Sequence, residues 1–245
     1  MRPVLFHIGP LSIYTYGFCV AFGVLLAVFL MQRRSSDEGW TADEVLDLVL
    51  LFTLFSFVGA RIFYVVQHWD YYAHNPSEII KIWEGGVVFY GGVIAGLIFL
   101  WAYPRKKGWP PLKVMDFFAP FIAMAHGFGR IGCFLNGCCY GKEFFSSWSV
   151  RYSFLTFPVH PVQIYEAVFN FIVFFILLGI HRQKKYDGET TLAYFFIYSA
   201  GRFFLENFRG DNMPFFAGLT LPQLISTVFV AASLLVYFIF FRKRA

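Results

Sequence analysis

Three arginines inside apolar runs carry the first chemical signal in this chain. Arg130 stands in Phe128-Gly129-Arg130-Ile131-Gly132-Cys133-Phe134-Leu135-Asn136-Gly137, Arg61 follows the apolar run Leu48 to Ala60, and Arg202 follows Tyr194 to Gly201 within the aromatic stretch Ala193 to Phe208. A guanidinium stays charged at any accessible pH, so it does not settle in hydrocarbon without an anion or a wet cavity to hold it. Its planar fork matches phosphate oxygens bidentately, which points to an anionic, phosphate-bearing ligand at membrane depth. One such arginine is explained by snorkelling or by pairing with a carboxylate. Three of them among few acids weigh against that explanation. Glu166 and Glu206 are the obvious intramembrane acids, and Glu206 follows Arg202 by four residues, close enough on a helix to orient it. Two acids against three arginines leave a positive excess.

Glycine is the second signal. Gly85, Gly86, Gly91, Gly92, Gly127, Gly129, Gly132, Gly137 and Gly141 cluster near the same membrane face. Close helix packing through small residues accounts for many of these. Between Gly137 and Gly141 the spacing is too dense and polar for packing alone. A helix that ends inside the membrane exposes backbone groups that only a cavity or ligand tolerates. Asn136 adds an amide able to donate to a phosphate or ester oxygen. Gln163 and Glu166 are three apart on one helical face and so line a polar cavity together, whereas His160 reads as an interfacial loop residue. Tyr14, Tyr16 and Tyr90 read first as interface anchors. Cys133, Cys138 and Cys139 have the spacing C-x4-C-C, with Cys19 apart. No zinc pattern follows, no metal is expected, and small apolar fillers are the default reading; a disulfide stays open if the segment faces an oxidising compartment.

The elements that must position these residues follow from hydropathy. Hydrophobic residues make up 58% of the 245, charged residues only 14%, and 34 Phe, 14 Tyr and 6 Trp exceed what one water-soluble core can bury. A window of about 19 residues finds apolar segments near Ile13–Met31, Leu46–Gln67, Val87–Tyr103, Val114–Leu135, Val162–Ile180, Thr191–Phe208 and Leu219–Phe241. The fold expected is an all-α polytopic membrane protein of seven transmembrane helices, forming one integral domain over residues 1–245 without an internal repeat. The first segment lacks the basic flank and small-residue cleavage site of a removable signal peptide, so it is expected to stay.

Orientation follows from Lys and Arg. Arg33, Arg34, Arg105, Lys106, Lys107, Arg182, Lys184, Lys185, Arg242, Lys243 and Arg244 fall on one side, eleven in all, against Arg2, Lys81, Lys142, Arg151 and Arg209 on the other. That asymmetry puts the N-terminus outside and the C-terminus in the cytoplasm. Trp69, Tyr71, Tyr72, Trp83 and Trp148 then form an outer aromatic belt, and Arg61, Arg130 and Arg202 share the outer leaflet. The net charge of +5 comes in short separated clusters, so it reads as loop basicity and not as a nucleic-acid footprint.

The run His126 to Gly141 resembles the signature of the prolipoprotein diacylglyceryl transferase family. The likeness covers nearly the whole chain: Ile8-Gly9-Pro10 with Tyr16-Gly17, Gly85-Gly86 with Tyr90-Gly91-Gly92, His160 to Glu166, and Gly201 to Glu206 with Arg209. Membership implies transfer of the diacylglyceryl group of phosphatidylglycerol to the lipobox cysteine of a prolipoprotein signal peptide, leaving a thioether and glycerol phosphate. It also implies a multi-pass enzyme of the bacterial cytoplasmic membrane, among membrane lipids, with no cofactor and no nucleic acid. By the same resemblance Arg130 and Arg202 are the essential residues, supported by Tyr16, Asn136, Gly141, Glu206 and Arg209, while Arg61 becomes an electrostatic or structural helper.

Three positions depart from the family pattern. Tyr90 stands where the family has a histidine, Cys133 where it has an asparagine and Cys138 where it has a glutamate. A tyrosine with a pKa near 10 is a poor general base at neutral pH, so positioning by Tyr90, with thiol activation in the arginine field, is the favoured reading. A transporter or channel for an anionic solute is the alternative from another class, and it predicts inverted repeats or charges in both leaflets. A different phospholipid-processing enzyme would need a nucleophilic histidine or a metal-binding acidic pair.

Overall fold

A computed structural model describes residues 4–8, 11–81 and 85–241. Arg2, Gly9, Pro10, Trp83, Arg242, Lys243 and Arg244 of the sequence reading lie outside the described residues. The long helices are α1 (Thr15–Arg34), α2 (Ala42–Gln67), α4 (Phe89–Lys106), α5 (Pro111–Asn136), α6 (Val162–Gln183), α7 (Glu189–Leu205) and α8 (Leu221–Val236), with a single turn α3 (Trp69–Tyr72) after α2. Each overlies one of the seven apolar segments. Among the described residues, five stretches are long and apolar enough to cross a membrane, namely Thr15–Glu38, Ala42–Gln67, Pro111–Asn136, Val162–Gln183 and Leu221–Phe240.

The burial pattern is that of a membrane protein. Leu25, Phe29, Phe175 and Val228 lie on the outside, whereas Asp116, Gln163, Glu166, Asn170 and Glu206 are buried. Water would invert that arrangement, and lipid permits it. Three expected boundaries shift for local reasons. The first apolar segment begins in a hairpin, β1 (Val4–Ile8) against β2 (Leu11–Tyr14), with Phe6 opposite Ile13. The sixth helix stops at Leu205 and tightens into a 3-10 turn over Glu206–Phe208. The last helix starts only at Leu221, because Thr220 closes a capping box with Gln223 after the short pair β3 (Pro214–Phe216) and β4 (Leu219–Thr220).

The chain divides into two compact units. One comprises Val28–Met115 and is built on α2 and α4. Thr41 caps α2 through a capping box with Glu44. The two helices approach through glycine: a side chain at Gly59 would meet Gly91 O at 2.8 Å, and one at Gly91 would meet Gly59 O at 2.7 Å. The glycine packing expected for Gly91 and Gly92 is thus present here. Trp69 and Tyr71 are exposed as belt residues should be, but Tyr72 turns inward and packs over the Arg61 guanidinium at 5.4 Å.

The other unit comprises Met1–Ala27 and Asp116–Ala245, where α6 packs on α7 and α7 on α8. Gly23 lets α1 approach Phe128 of α5, Gly127 accommodates Phe171, and Gly201 gives way to the Phe169 ring. At one end Asp116, fully buried, accepts hydrogen bonds from the backbone N–H of Gly188 and Thr191, both at 2.8 Å, and from Thr191 Oγ1 at 2.7 Å. Lys184 Nζ pairs with the same carboxylate at 3.0 Å. A carboxylate from α5 therefore caps α7, replacing the side-chain cap that Gly188 lacks.

Candidate active site

The second unit's own residues assemble a buried charge cluster at the ends of α5, α6 and α7. Glu166, on α6, is its hub. Arg130 Nε of α5 lies 2.8 Å from Glu166 Oε2, Arg202 Nη1 of α7 lies 2.5 Å from Oε1, and Arg209 Nη1 lies 3.6 Å from Oε1. Glu206 takes the other side of the pair: its Oε2 is 2.7 Å from Arg202 Nη2 and 3.9 Å from Arg209 Nε. Its Oε1 accepts from Asn212 Nδ2 at 2.5 Å and Thr220 Oγ1 at 2.8 Å. Arg209 is held by Asp211 in a two-point fork, Nε to Oδ1 at 2.9 Å and Nη2 to Oδ2 at 2.6 Å. Burial works against the Arg209 charge, and the Asp211 bonds with the Glu166 charge more than offset it, so its pKa is raised.

The spacing expected from the sequence is realised. Arg202 and Glu206 pair as i,i+4 neighbours, and Gln163 and Glu166 share the buried face of α6. The positive excess is not realised in this cluster: Arg130, Arg202 and Arg209 face Glu166, Glu206 and Asp211, three cations against three anions. The contacts are uneven in quality. Oε2 of Glu166 and of Glu206 have ion-pair partners but no aligned hydrogen bond. The Nε–H of Arg130 is directed instead to His126 Nε2, at 3.2 Å, which requires that nitrogen to be unprotonated. Sequence reasoning passed over His126 and Asp211. An arginine one helical turn after a histidine, and an acid two residues after an arginine, were the available signals.

The supporting residues come from the turn after α5. Gly137, at φ 79°, ends the helix with its N–H on Cys133 O at 3.0 Å. The chain then runs beside two other segments: Gly141 N–H donates to His160 O at 3.1 Å and Lys142 N–H to Phe208 O at 2.8 Å. A Cβ at Gly141 would lie 2.5 Å from His160 Cβ and 2.7 Å from His160 O, so only glycine fits. This pairing sets Gly141 opposite Arg209. Gln163, fully buried, anchors the turn by donating to Cys138 O at 2.6 Å and to the Tyr152 hydroxyl at 2.9 Å. Asn136 closes α5. Tyr16 opens α1, and its Cα would stand 3.2 Å from a Cβ at Gly132, so that glycine is what lets α1 approach the Arg130 helix. His160 stacks on Phe144, and burial lowers its pKa.

Tyr90 and Arg61 belong to the other unit. Tyr90 is half-exposed in the first turn of α4, edge-on to Phe89 at 5.8 Å. Arg61 is buried, and its guanidinium donates to the carbonyls of Ile79, Gly85, Gly86, Glu78 and Lys81, at 2.9, 2.7, 2.9, 2.8 and 3.4 Å. It clamps the loop before α4. Gly86, at φ 78°, has no room for a side chain, because a Cβ there would lie 2.7 Å from Arg61 Nη1.

Apolar helices enclosing an arginine–carboxylate cluster define a polytopic membrane protein with a buried charge cluster. The chain belongs to the prolipoprotein diacylglyceryl transferase family, whose model matches residues 3–239. It is 36% identical over 250 residues, covering both chains in full, to a protein of Clostridium tetani named phosphatidylglycerol–prolipoprotein diacylglyceryl transferase. It is also 36% identical to a Staphylococcus aureus protein of the same name, over 96% of this chain and 88% of the relative.

Proposed function

We propose that this chain transfers the diacylglyceryl group of phosphatidylglycerol to the lipobox cysteine of prolipoproteins, at the outer face of the bacterial cytoplasmic membrane. It does so as a single domain of seven transmembrane helices with its N-terminus outside. The observation that carries the reading is the convergence of Arg130, Arg202 and Arg209 on Glu166, three guanidinium forks in one buried place.

In the reaction the substrate thiolate attacks an sp3 carbon of the lipid's glycerol. A C–S bond forms, the C–O bond to phosphate breaks, glycerol phosphate leaves, and the thiol proton passes to water or a nearby base. Negative charge grows on the departing phosphate oxygen, where preorganised donors in a low-dielectric site stabilise it by about 3 kcal/mol each. Arg130 and Arg202 form the clamp, and Glu206 orients it. The even charge count means that lipid phosphate must take over a guanidinium already paired. Asp211, 31% exposed, is the anion open to exchange, which frees the Arg209 fork to join the Arg130 and Arg202 clamp, whereas Glu166 and Glu206 are 4% and 0% exposed and stay as the frame. Tyr16, Asn136 and Gly141 bound the lipid site, and in the other unit Arg61 fixes the loop before α4.

The test is incubation of purified protein with phosphatidylglycerol and a lipobox peptide, read by mass spectrometry. A diacylglyceryl mass gain on the peptide cysteine, lost with Arg130→Ala, is expected. Absence of any gain from the unaltered protein would overturn the reading.

A further inference from the structure

The turn that follows Arg130 gathers three thiols. The sulfurs of Cys133, Cys138 and Cys139 all lie within 4.8 Å of one another. Their arrangement is built by the backbone. Gly137 stops the helix, Cys138 N–H turns back to Cys133 O at 3.2 Å, and Gln163 fixes the Cys138 carbonyl at 2.6 Å. Cys139 adopts φ 61°, a left-handed conformation uncommon outside glycine. That conformation is what folds a C-x4-C-C run, which has no zinc-type spacing, into a convergent set. Cys133 is buried and the other two are half-buried, so the set has an inner wall and an open side.

We propose that Cys133, Cys138 and Cys139 form a three-thiolate site for one soft, thiophilic d10 cation of the Cu(I) and Zn(II) class. Sulfurs bound to one such ion at ~2.3 Å stand roughly 3.8–4.0 Å apart, so the observed spread closes with side-chain movement of about 1 Å or less. A disulfide needs two sulfurs at ~2.05 Å and would leave the third thiol idle. Each M–S bond replaces an S–H bond, and the protons go to buffer. The resulting complex is anionic, and its neighbours suit it, since the charges of Arg209 and Arg130 both bear on Cys139. Thiolate softness selects these cations over Mg(II) or Ca(II). The site adjoins the proposed transfer centre but does not depend on that assignment.

The experiment titrates Cd(II), a spectroscopic substitute for Zn(II), into purified full-length protein reduced with a non-thiol reductant. A thiolate-to-metal charge-transfer band saturating at one ion per chain is expected. Cys19→Ala should leave the band, and Cys139→Ala should weaken binding by more than about tenfold. The triple variant Cys133→Ser/Cys138→Ser/Cys139→Ser should abolish it, with circular dichroism confirming its helices. No band from the reduced protein, or a band that survives in the triple variant, overturns the proposal; Cys139→Ala keeps the test valid if the triple variant does not fold. Peptide lipidation, assayed on the same metal-free samples, reports separately on the transfer reaction.

Discussion

Arg202 and Glu166 meet at 2.5 Å although 36 residues separate them, and Glu166 is shared at the same time with Arg130 and Arg209. One carboxylate thus sets the spacing of three cations. Glu166→Gln keeps the shape and removes the charge, leaving guanidinium groups to repel one another in a low dielectric. We expect a stability loss of about 3–5 kcal/mol in detergent, with transfer strongly reduced. Thermal unfolding checks it, and an unchanged midpoint would show that Glu166 is not the hub.

Arg130→Lys and Arg202→Lys keep the charge but lose the planar fork. If the forks hold the departing phosphate, each substitution slows single-turnover transfer by roughly 10²–10³-fold. Near-normal rates would reduce both residues to sources of charge.

Asp211→Ala frees the most open ion pair of the buried cluster. A partly exposed pair is worth ~1 kcal/mol at most, so the gain in apparent affinity for phosphatidylglycerol should be no more than about fivefold. A weaker affinity would mean that Asp211 positions Arg209 for catalysis instead of competing with lipid.

At the other end of the same unit, Asp116→Ala removes the cap of α7 and leaves Lys184 with Asp187 in place of its buried partner. The expected loss is about 3 kcal/mol. Burial alone would lower the Lys184 pKa, but the Asp116 charge and hydrogen bond raise it above the ordinary 10.5. Its contribution is therefore complete below pH 10.5 and disappears as pH rises through the raised value. Unfolding midpoints measured across that alkaline range should fall in the natural protein, and fall less in Asp116→Ala.

The helices and the arginines were legible because each leaves a one-dimensional trace: an apolar run marks a span, and a guanidinium inside it marks a cost. What they bind leaves none. Arg61 and Arg130 look alike in sequence, yet one is spent on loop carbonyls and the other on Glu166. Asp116 gives no signal in the sequence because its partners lie 68 to 75 residues away. The charge balance also escaped sequence reading, because Asp211, two residues after Arg209 and past the end of α7, was not counted with the cluster. Tyr72 was misplaced in the belt because its neighbours Trp69 and Tyr71 do face outward.

Thr220 links the cluster to the order in which the chain is made. Its hydroxyl accepts the Gln223 N–H that starts α8 and donates to Glu206 at 2.8 Å. A ribosome that has produced the chain through Arg209 has made every arginine of the cluster, but Glu206 still lacks this donor. Thr220 therefore ties the start of α8 to the finished frame of the charged centre. A nascent chain stalled before Thr220 would hold its arginines without a finished frame.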